Sequence, residues 1–206
     1  MNFLTTFLIV AVALMPVAYG LSSKIWSKET TFQKLSSAGK TRVGLYGFSF
    51  EDCGGSSDPL HGNVSLSPND PVTLPGKLTV SFNASFGVDV KSPLKVVLEL
   101  KKKELIWIDL PCVDGIGSCT YDDFCKMLPP EPASGCPPPL KEKGLPCRCP
   151  VKAGKYSLPP AVFTIPTIPK VPEFLADGDY KANVKAYYGS KELGCINLTF
   201  SLKLNE

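Results

Sequence analysis

Eight cysteines constrain this chain of 206 residues more than any other feature of its sequence. They stand at positions 53, 112, 119, 125, 136, 147, 149 and 195. Cys147 and Cys149 lie in "GLPCRCP" with one residue between them. A bridge between Cys147 and Cys149 would close a very small, strained ring without the Cβ geometry that a disulfide requires. Both sulfurs of this Cys-x-Cys therefore need partners elsewhere in the chain.

The first 20 residues indicate the compartment in which those bridges form. MNFLTTFLIVAVALMPVAYG is an apolar run of signal-peptide length that ends in small residues, placed for cleavage after Gly20. A membrane anchor is the alternative, but Pro16 interrupts the run and no basic stop-transfer cluster follows it. We therefore predict that residues 1–20 are a removed signal peptide. An even number of cysteines behind an export signal predicts a disulfide framework with no free thiol.

A two-residue hydrophobic period predicts an all-β domain over residues 43–206. In KLTVSFNASF, residues 77–86, apolar and polar side chains alternate without exception, which is typical of a half-buried strand. The same period predicts seven more strands, at residues 43–50, 64–67, 94–101, 106–110, 162–165, 180–188 and 196–204. Residues 21–42 form an N-terminal extension whose order the sequence does not determine.

The alternation stops between residues 111 and 160, a segment that holds six of the cysteines and the proline runs at 129–130 and 137–139. We interpret it as an irregular, bridged insertion. One short helix is predicted inside it at residues 121–128, with Thr120 as N-cap and Asp122 and Asp123 in its first turn. Cys53 and Cys195 stand outside the insertion, near the two ends of the β region, and are predicted to pair.

Three glycosylation sequons test the strand register. Asn63, Asn83 and Asn197 each begin an Asn-x-Ser/Thr sequence and lie on the polar phase of a predicted strand, as an attached glycan requires. All three are predicted glycosylation sites.

The sequence contains no convincing catalytic motif. His61 is the only histidine and lies in the turn-like "DPLHGN", and no pair of Cys-x-x-Cys motifs is present, so neither a catalytic base nor a metal site is expected. The net charge of +3 is small, and the lysines and arginines of the chain are scattered, which argues against nucleic acid as a partner. What remains is a β shell whose inner face is apolar, at Phe48, Phe50, Phe82, Phe86, Leu94, Val96, Leu98, Ile196, Phe200 and Leu202. Alternation alone leaves open whether these residues fill a sandwich core or line a cavity.

Four motifs around the cysteines are more specific: "SPLKVVLEL", "LIWIDLPCVDGIGSCTYDDFC", "GLPCRCPVKAGKYSLP" and "ELGCINLTFSLK". Together they closely resemble the monosialoganglioside activators, a family of lysosomal sphingolipid activators that serve β-hexosaminidase A. The resemblance extends from Phe48 to Lys203 and includes all eight cysteines. It implies a single eight-stranded antiparallel β-cup with a deep apolar lipid cavity, lined by the ten inner-face residues named above. It also implies four disulfides: Cys53 with Cys195, Cys112 with Cys119, Cys125 with Cys149, and Cys136 with Cys147.

The resemblance further implies a non-enzymatic function. A protein of this family extracts a ganglioside or related glycolipid from a membrane and presents it to a soluble glycosidase such as β-hexosaminidase. Exposing one long acyl chain to water costs on the order of 10 kcal/mol, at about 0.8 kcal/mol per CH₂, so a soluble hydrolase needs such a carrier. The alternative is a secreted lipid-binding protein of transport or defence without a hydrolase partner, and weak lipid esterase activity stays a distant third hypothesis. The expected location is the lysosome lumen or the extracellular fluid, with bound lipid as ligand and no other cofactor.

The family's transient membrane contacts correspond to two loops of this chain, with the apolar residues Leu105, Ile106, Trp107, Val171, Phe174 and Leu175. Lys101, Lys102 and Lys103 precede the first loop. This basic run either forms a solvated hairpin tip or draws the loop to anionic lipids, with a stabilisation of roughly 1 kcal/mol per charge.

Overall fold

The computed structural model describes residues 42–68, 70–128, 135–165 and 177–205. The predicted signal peptide and all of the predicted N-terminal extension except Arg42 lie outside these ranges. Within them the chain forms two antiparallel β-sheets whose buried side chains make one hydrophobic cluster. No helix in the described part of the chain is long and apolar enough to cross a membrane.

The larger sheet has seven strands, in the order β3-β1-β10-β9-β5-β6 with β7 paired to β5. Its strands are β1 (Arg42–Asp52), β3 (Val72–Leu74), β5 (Lys95–Lys103), β6 (Trp107–Asp109), β7 (Thr120–Tyr121), β9 (Gly178–Tyr188) and β10 (Lys191–Asn205). The smaller sheet has the order β2-β4-β8, with β2 (Leu60–Ser67), β4 (Gly76–Phe86) and β8 (Gly154–Ile165). The all-β prediction is confirmed, but the described residues contain ten strands instead of eight.

Strand β8 begins eight residues earlier than the sequence predicted. Its first part contains Pro159 and Pro160, which lack an N–H and do not fit a regular ladder. In the structure both prolines fall where the β4–β8 register shifts, opposite Ser81. Because β8 is an edge strand, a bulge at this point accommodates the two prolines, and β8 stays paired with β4 on either side of it. The predicted irregular insertion therefore ends at β8 and not at residue 160.

A bulge in β1 reverses the face of its side chains. Val43 and Leu45 are fully buried, whereas a continuous alternation leading to Phe50 would have turned them outward. The register with β10 shifts between Tyr46 and Ser49, and Gly47 adopts a φ of +56°, a conformation that glycine takes without steric cost. The extra residue brings Phe50 onto the inner face.

The helix predicted at residues 121–128 is wrong in its first half. Thr120 and Tyr121 form β7 against Val96 and Val97 of β5, and only Phe124–Met127 forms a helix, α1. Asp123 precedes α1 without capping it by a side-chain hydrogen bond. Its carboxylate instead accepts hydrogen bonds from the Ser92 hydroxyl and the Leu94 N–H.

A second short helix, α2, spans Pro138–Lys141 within the proline run that the sequence assigned to irregular structure. Proline suits the first turn of a helix, where its missing N–H would be unpaired in any case. Leu140 is fully buried and fixes α2 against the domain.

Four disulfides join the same pairs that the family resemblance implies. Cys53 bonds to Cys195, Cys112 to Cys119, Cys125 to Cys149, and Cys136 to Cys147. No cysteine in the described residues is free. The two sulfurs of the Cys-x-Cys thus go to two different partners, one in α1 and one before α2.

We predict that the bridges differ in their contribution to stability according to the loops they close. Cys53–Cys195 closes a separation of 142 residues and Cys112–Cys119 one of 7. In the chain-entropy model the long bridge contributes about 5 kcal/mol and the short one about 2 kcal/mol. Replacing both cysteines of each pair with Ala and measuring urea unfolding tests this. Equal losses for the two double variants, or a larger loss for the short loop, would contradict the prediction.

Candidate functional site

An apolar cavity of about 140 Å³ lies between the two sheets, at the end where β1 ends and β10 begins. Its walls are almost entirely hydrocarbon, with side chains from both sheets and from α1. A cavity of roughly 150 Å³ lined by aliphatic and aromatic groups stays dry and accepts an apolar molecule of the size of benzene. The described walls therefore enclose room for a segment of one alkyl chain.

Six of the ten predicted inner-face residues line this cavity: Phe50, Phe82, Phe86, Leu94, Val96 and Ile196. The other four do not. Leu98, Phe200 and Leu202 are at most 4% exposed in the packed core further along the larger sheet, and Phe48 is half-buried against that core. In the described residues this cavity occupies one end of the sandwich, whereas the family resemblance implied that all ten residues line it.

Several wall residues escaped the sequence analysis. Val184 and Ala186 lie on the inner phase of β9 and were detectable in principle, because their strand was predicted. Phe124 belongs to α1, and no periodicity places so short a helix against a cavity. Gly194 approaches the smaller sheet so closely that a Cβ there would lie 2.7 Å from the Leu60 carbonyl oxygen. Only glycine permits this contact between the two sheets beside the cavity.

Asp52 and His61 border the cavity at the edge of the smaller sheet. The Asp52 carboxylate accepts hydrogen bonds from His61 Nδ1 at 2.9 Å and from the Gly62 N–H at 3.0 Å, so the end of β1 is tied to β2. A third bond comes from the Gly54 N–H at 3.0 Å. Burial raises the pKa of Asp52, but these donors together outweigh burial and hold the pKa below its ordinary value of 3.8. His61 is thus a half-buried strand residue and not part of an exposed turn.

The β5–β6 connection exposes an apolar hairpin, residues 105–108. Leu105 is 100% exposed, Ile106 71%, Ile108 45% and Trp107 36%. The Lys181 ammonium lies over the Trp107 ring, 4.4 Å from its centroid, a cation–π contact. Four consecutive exposed apolar residues are unusual on a soluble surface and mark a contact site.

Two of the three lysines before the hairpin have acidic neighbours. Lys101 lies 3.4 Å from Asp109, and Lys102 lies 3.5 Å from Glu104. These exposed pairs offset part of the positive charge of the run. The hairpin is therefore mainly an apolar surface with a modest basic margin.

The apolar hairpin and the cavity lie at opposite ends of the larger sheet. Val96, at the cavity, and Lys103, at the hairpin, are seven residues apart on β5, which is about 24 Å along a strand. The buried residues Leu98 and Leu100 fill the interval on the inner face. Of the predicted membrane-contact residues, Val171, Phe174 and Leu175 lie outside the described residues.

The sequon asparagines occupy two different environments. Asn63 and Asn83 are exposed cross-strand partners on the outer face of the smaller sheet. Asn197 is half-buried: its Nδ2 donates to Glu51, and its Oδ1 accepts from Asn183, whose amide also contacts the Cys53–Cys195 sulfurs. All three remain predicted glycosylation sites.

Comparison with known proteins assigns the family. The family model described as the ML domain matches residues 47–202. The chain belongs to the ML-domain family. Among ML-domain relatives, the ganglioside GM2 activator of Macaca fascicularis is 43% identical over 163 residues, covering 77% of this chain and 85% of that protein. The ganglioside GM2 activator of Mus musculus is 38% identical over 163 residues, covering 77% and 83%. The resemblance indicated by the cysteine motifs is thereby confirmed.

A solved Niemann-Pick type C2 protein from the Japanese carpenter ant also aligns with this ML domain. The alignment covers 73% of the chain and 96% of that structure, at 15% identity and a TM-score of 0.32. Such a distant likeness adds nothing to the family assignment. In the described part of the ML domain, no three His, Cys, Asp or Glu side chains are grouped to hold a metal ion.

We predict that filling the cavity blocks uptake of alkyl ligands. Ala186→Leu adds a side chain to the wall, and because the space is empty, stability should change by less than the 1–3 kcal/mol typical of overpacking. Uptake of a fluorescent alkyl probe should fall at least tenfold. Ala153→Leu, which adds the same atoms on the exposed surface, is the matched control. Undiminished uptake by the Ala186 variant would show that alkyl chains bind elsewhere.

We also predict a pH-dependent role for Asp52. Because its folded pKa is below the unfolded value, its stabilisation is present above about pH 3.8 and is lost as the pH falls through the folded pKa. Asp52→Asn should lower the free energy of unfolding at pH 7 by about 1–2 kcal/mol, since an amide cannot accept all three hydrogen bonds. The deficit should shrink at pH 2.5. Urea unfolding at both pH values measures it, with the exposed Asp109→Asn as control; an equal deficit at both pH values would refute the assignment.

Proposed function

We propose that this ML domain is a non-enzymatic lipid-transfer protein and activator, which extracts a ganglioside or related glycolipid from a membrane and presents it to a β-hexosaminidase-like glycosidase. The observation that carries the proposal is the apolar cavity between the sheets, in a chain 43% identical to a protein named ganglioside GM2 activator. The protein works in the lysosome lumen or in extracellular fluid, and it carries bound lipid when purified.

The cavity supports the lipid-binding part of the proposal by its lining. Each CH₂ group transferred from water to such walls is stabilised by about 0.8 kcal/mol. Phe50, Phe82 and Phe86 present flat apolar faces. The polar side chains among the described lining residues belong to the end of β1 and to β2 and β4: Asp52, His61, Asn63 and Asn83. An alkyl segment therefore finds an alternative to the bilayer here, and a polar headgroup does not.

The apolar hairpin supports reversible membrane docking. Burying Leu105 and Ile106 in the headgroup boundary would contribute about 3–5 kcal/mol, and the three lysines near anionic lipid would contribute at most about 3 kcal/mol, at roughly 1 kcal/mol per charge. The contribution of the lysines is smaller still, because Lys101 and Lys102 have acidic neighbours. Docking thus depends chiefly on the apolar tip and is weak enough to reverse.

Hydrolase activation is the most specific part of the proposal and has a direct test. We expect the purified protein to increase the rate at which β-hexosaminidase A cleaves a ganglioside in liposomes, and to leave cleavage of a water-soluble chromogenic substrate unchanged. Ganglioside transfer without any increase in cleavage would favour the secreted transport or defence protein without a hydrolase partner. Cleavage of the lipid by the protein alone would refute the non-enzymatic assignment.

We predict that transfer between membranes depends on the apolar hairpin and that uptake from solution does not. Leu105→Ser combined with Ile106→Ser removes the two most exposed side chains. Transfer of labelled ganglioside between anionic liposomes should fall at least tenfold. Uptake of a soluble fluorescent alkyl probe should stay within twofold of the parent, because the cavity is about 24 Å away along β5.

The matched control is Val162→Ser, which removes an exposed apolar side chain from the smaller sheet. Its transfer rate should equal that of the parent, and thermal unfolding should be unchanged in all variants. If the hairpin variant transfers lipid at the parent rate, the hairpin is not the membrane contact.

A further inference from the structure

A polar groove of about 510 Å³ crosses the outer face of the smaller sheet. Two rows of cross-strand partners form its floor. One row consists of His61, Ser85 and Lys155, and the other of Asn63, Asn83 and Ser157. The volume lies within the 300–1,000 Å³ of ordinary ligand sites. The proposed lipid-transfer function has so far used none of these side chains.

Hydrogen bonds within the groove hold its amide groups in one orientation. The Ser157 hydroxyl donates to Asn83 Oδ1 at 2.7 Å, and the Asn83 N–H donates to Asn63 Oδ1 at 3.1 Å. Both amide oxygens are therefore engaged, and the amide nitrogens are left as donors toward the groove. Preorganised amide donors beside the Ser85 hydroxyl suit a ligand rich in hydroxyl and carboxylate oxygens.

The charge of the groove is positive. No Asp or Glu is among the residues that line it. Lys155 is exposed and makes no ion pair with any carboxylate in the described ranges. Its ammonium group is thus available to an anionic group on a ligand, at a place where no acidic side chain competes for it.

The groove adjoins the apolar cavity. His61, Gly62, Asn63, Asn83 and Ala84 line both spaces, so the same stretch of β2 and β4 separates them. Both spaces reach the edge strand β2, where His61 borders the cavity and the groove and Asp52 borders the cavity. A ligand that crosses this edge would have its alkyl segment on the inner face of the sheet and its polar headgroup on the outer face.

We propose that the polar groove binds the acidic oligosaccharide of a glycolipid whose alkyl chain occupies the adjoining cavity. The inference rests on the proposed lipid-transfer function and adds to it the position and charge of the headgroup site. Lys155 contacts the sugar carboxylate, while the side chains of Asn63, Asn83 and Ser157 contact hydroxyl groups. Although Asn63 and Asn83 both begin sequons, the proposal requires them to be free of glycans in the natural protein, because a glycan on either would occupy the groove. It replaces the glycosylation predicted at these two positions and leaves the prediction for Asn197 unchanged.

The test compares three probes with the same labelled acyl chain: a monosialylated ganglioside, its asialo counterpart and ceramide. We expect Lys155→Gln to weaken binding of the sialylated probe about three- to tenfold and to leave the other two unchanged. Ser157→Ala, which releases the Asn83 amide, should weaken both sugar-bearing probes and leave ceramide unchanged. Lys141→Gln, at an exposed lysine of α2 outside the groove, is the matched control and should change nothing.

Two results would overturn the inference and leave the lipid-transfer function standing. One is equal binding of the sialylated probe by the Lys155 and Lys141 variants with normal uptake of ceramide. The other is a glycan on Asn63 or Asn83, found by peptide mapping of the natural protein. Failure of the parent protein to take up any of the three probes, ceramide included, would instead refute the lipid-transfer function and the headgroup site together.

Discussion

The disulfide between Cys53 and Cys195 is the constraint on which the cavity end of this domain depends. It joins the residue after β1 to the start of β10, and the Cys53 N–H also donates to the Cys195 carbonyl at 3.0 Å. Directly beside it, Asp52 binds β2, and Gly194 admits the close approach of Leu60. The disulfide thus locks β1 to β10 within the larger sheet, while the Asp52 carboxylate and the Gly194–Leu60 contact hold this end of the larger sheet against β2 of the smaller one. With its border fixed in this way, the space between the sheets can stay open without apolar packing to fill it.

The opposite end of the larger sheet is organised by packing. Tyr180 stacks on Phe200 with centroids 5.4 Å apart, and Leu98 and Leu100 fill the interior toward the hairpin. Covalent and polar ties hold the open end, whereas close-packed side chains hold the end that exposes the apolar hairpin. The proposed storage of an alkyl segment and the proposed contact with a bilayer therefore belong to different ends of one sheet, and substitutions can alter either one separately.

Prediction from sequence succeeded where one local rule governed a whole element. The alternation in β4, β9 and β10 is regular, because each strand has one face toward the core, and the helix propensity of these residues never competes with it. It failed where tertiary contacts changed the rule. The prolines of β8 are tolerated only because an edge strand can bulge, and Thr120 joined β7 because β5 offered it a partner. Phe200 and Leu202 share the inner phase with Ile196, but a period of two residues contains no information on where packing ends and a cavity begins.

The sequence by itself determined the β class and the apolar character of residues 105–108, because both follow from the identity of residues close together in the chain. It also determined the disulfide framework, because the order of the cysteines matches a family pattern. Only the tertiary structure decided that the cavity occupies one end of the sandwich, that the hairpin lies at the other, and that His61, Asn83 and Lys155 share a groove. Those relations arise from strand register and from the contact between two sheets, which join residues nearly a hundred positions apart and leave no periodic trace in the chain.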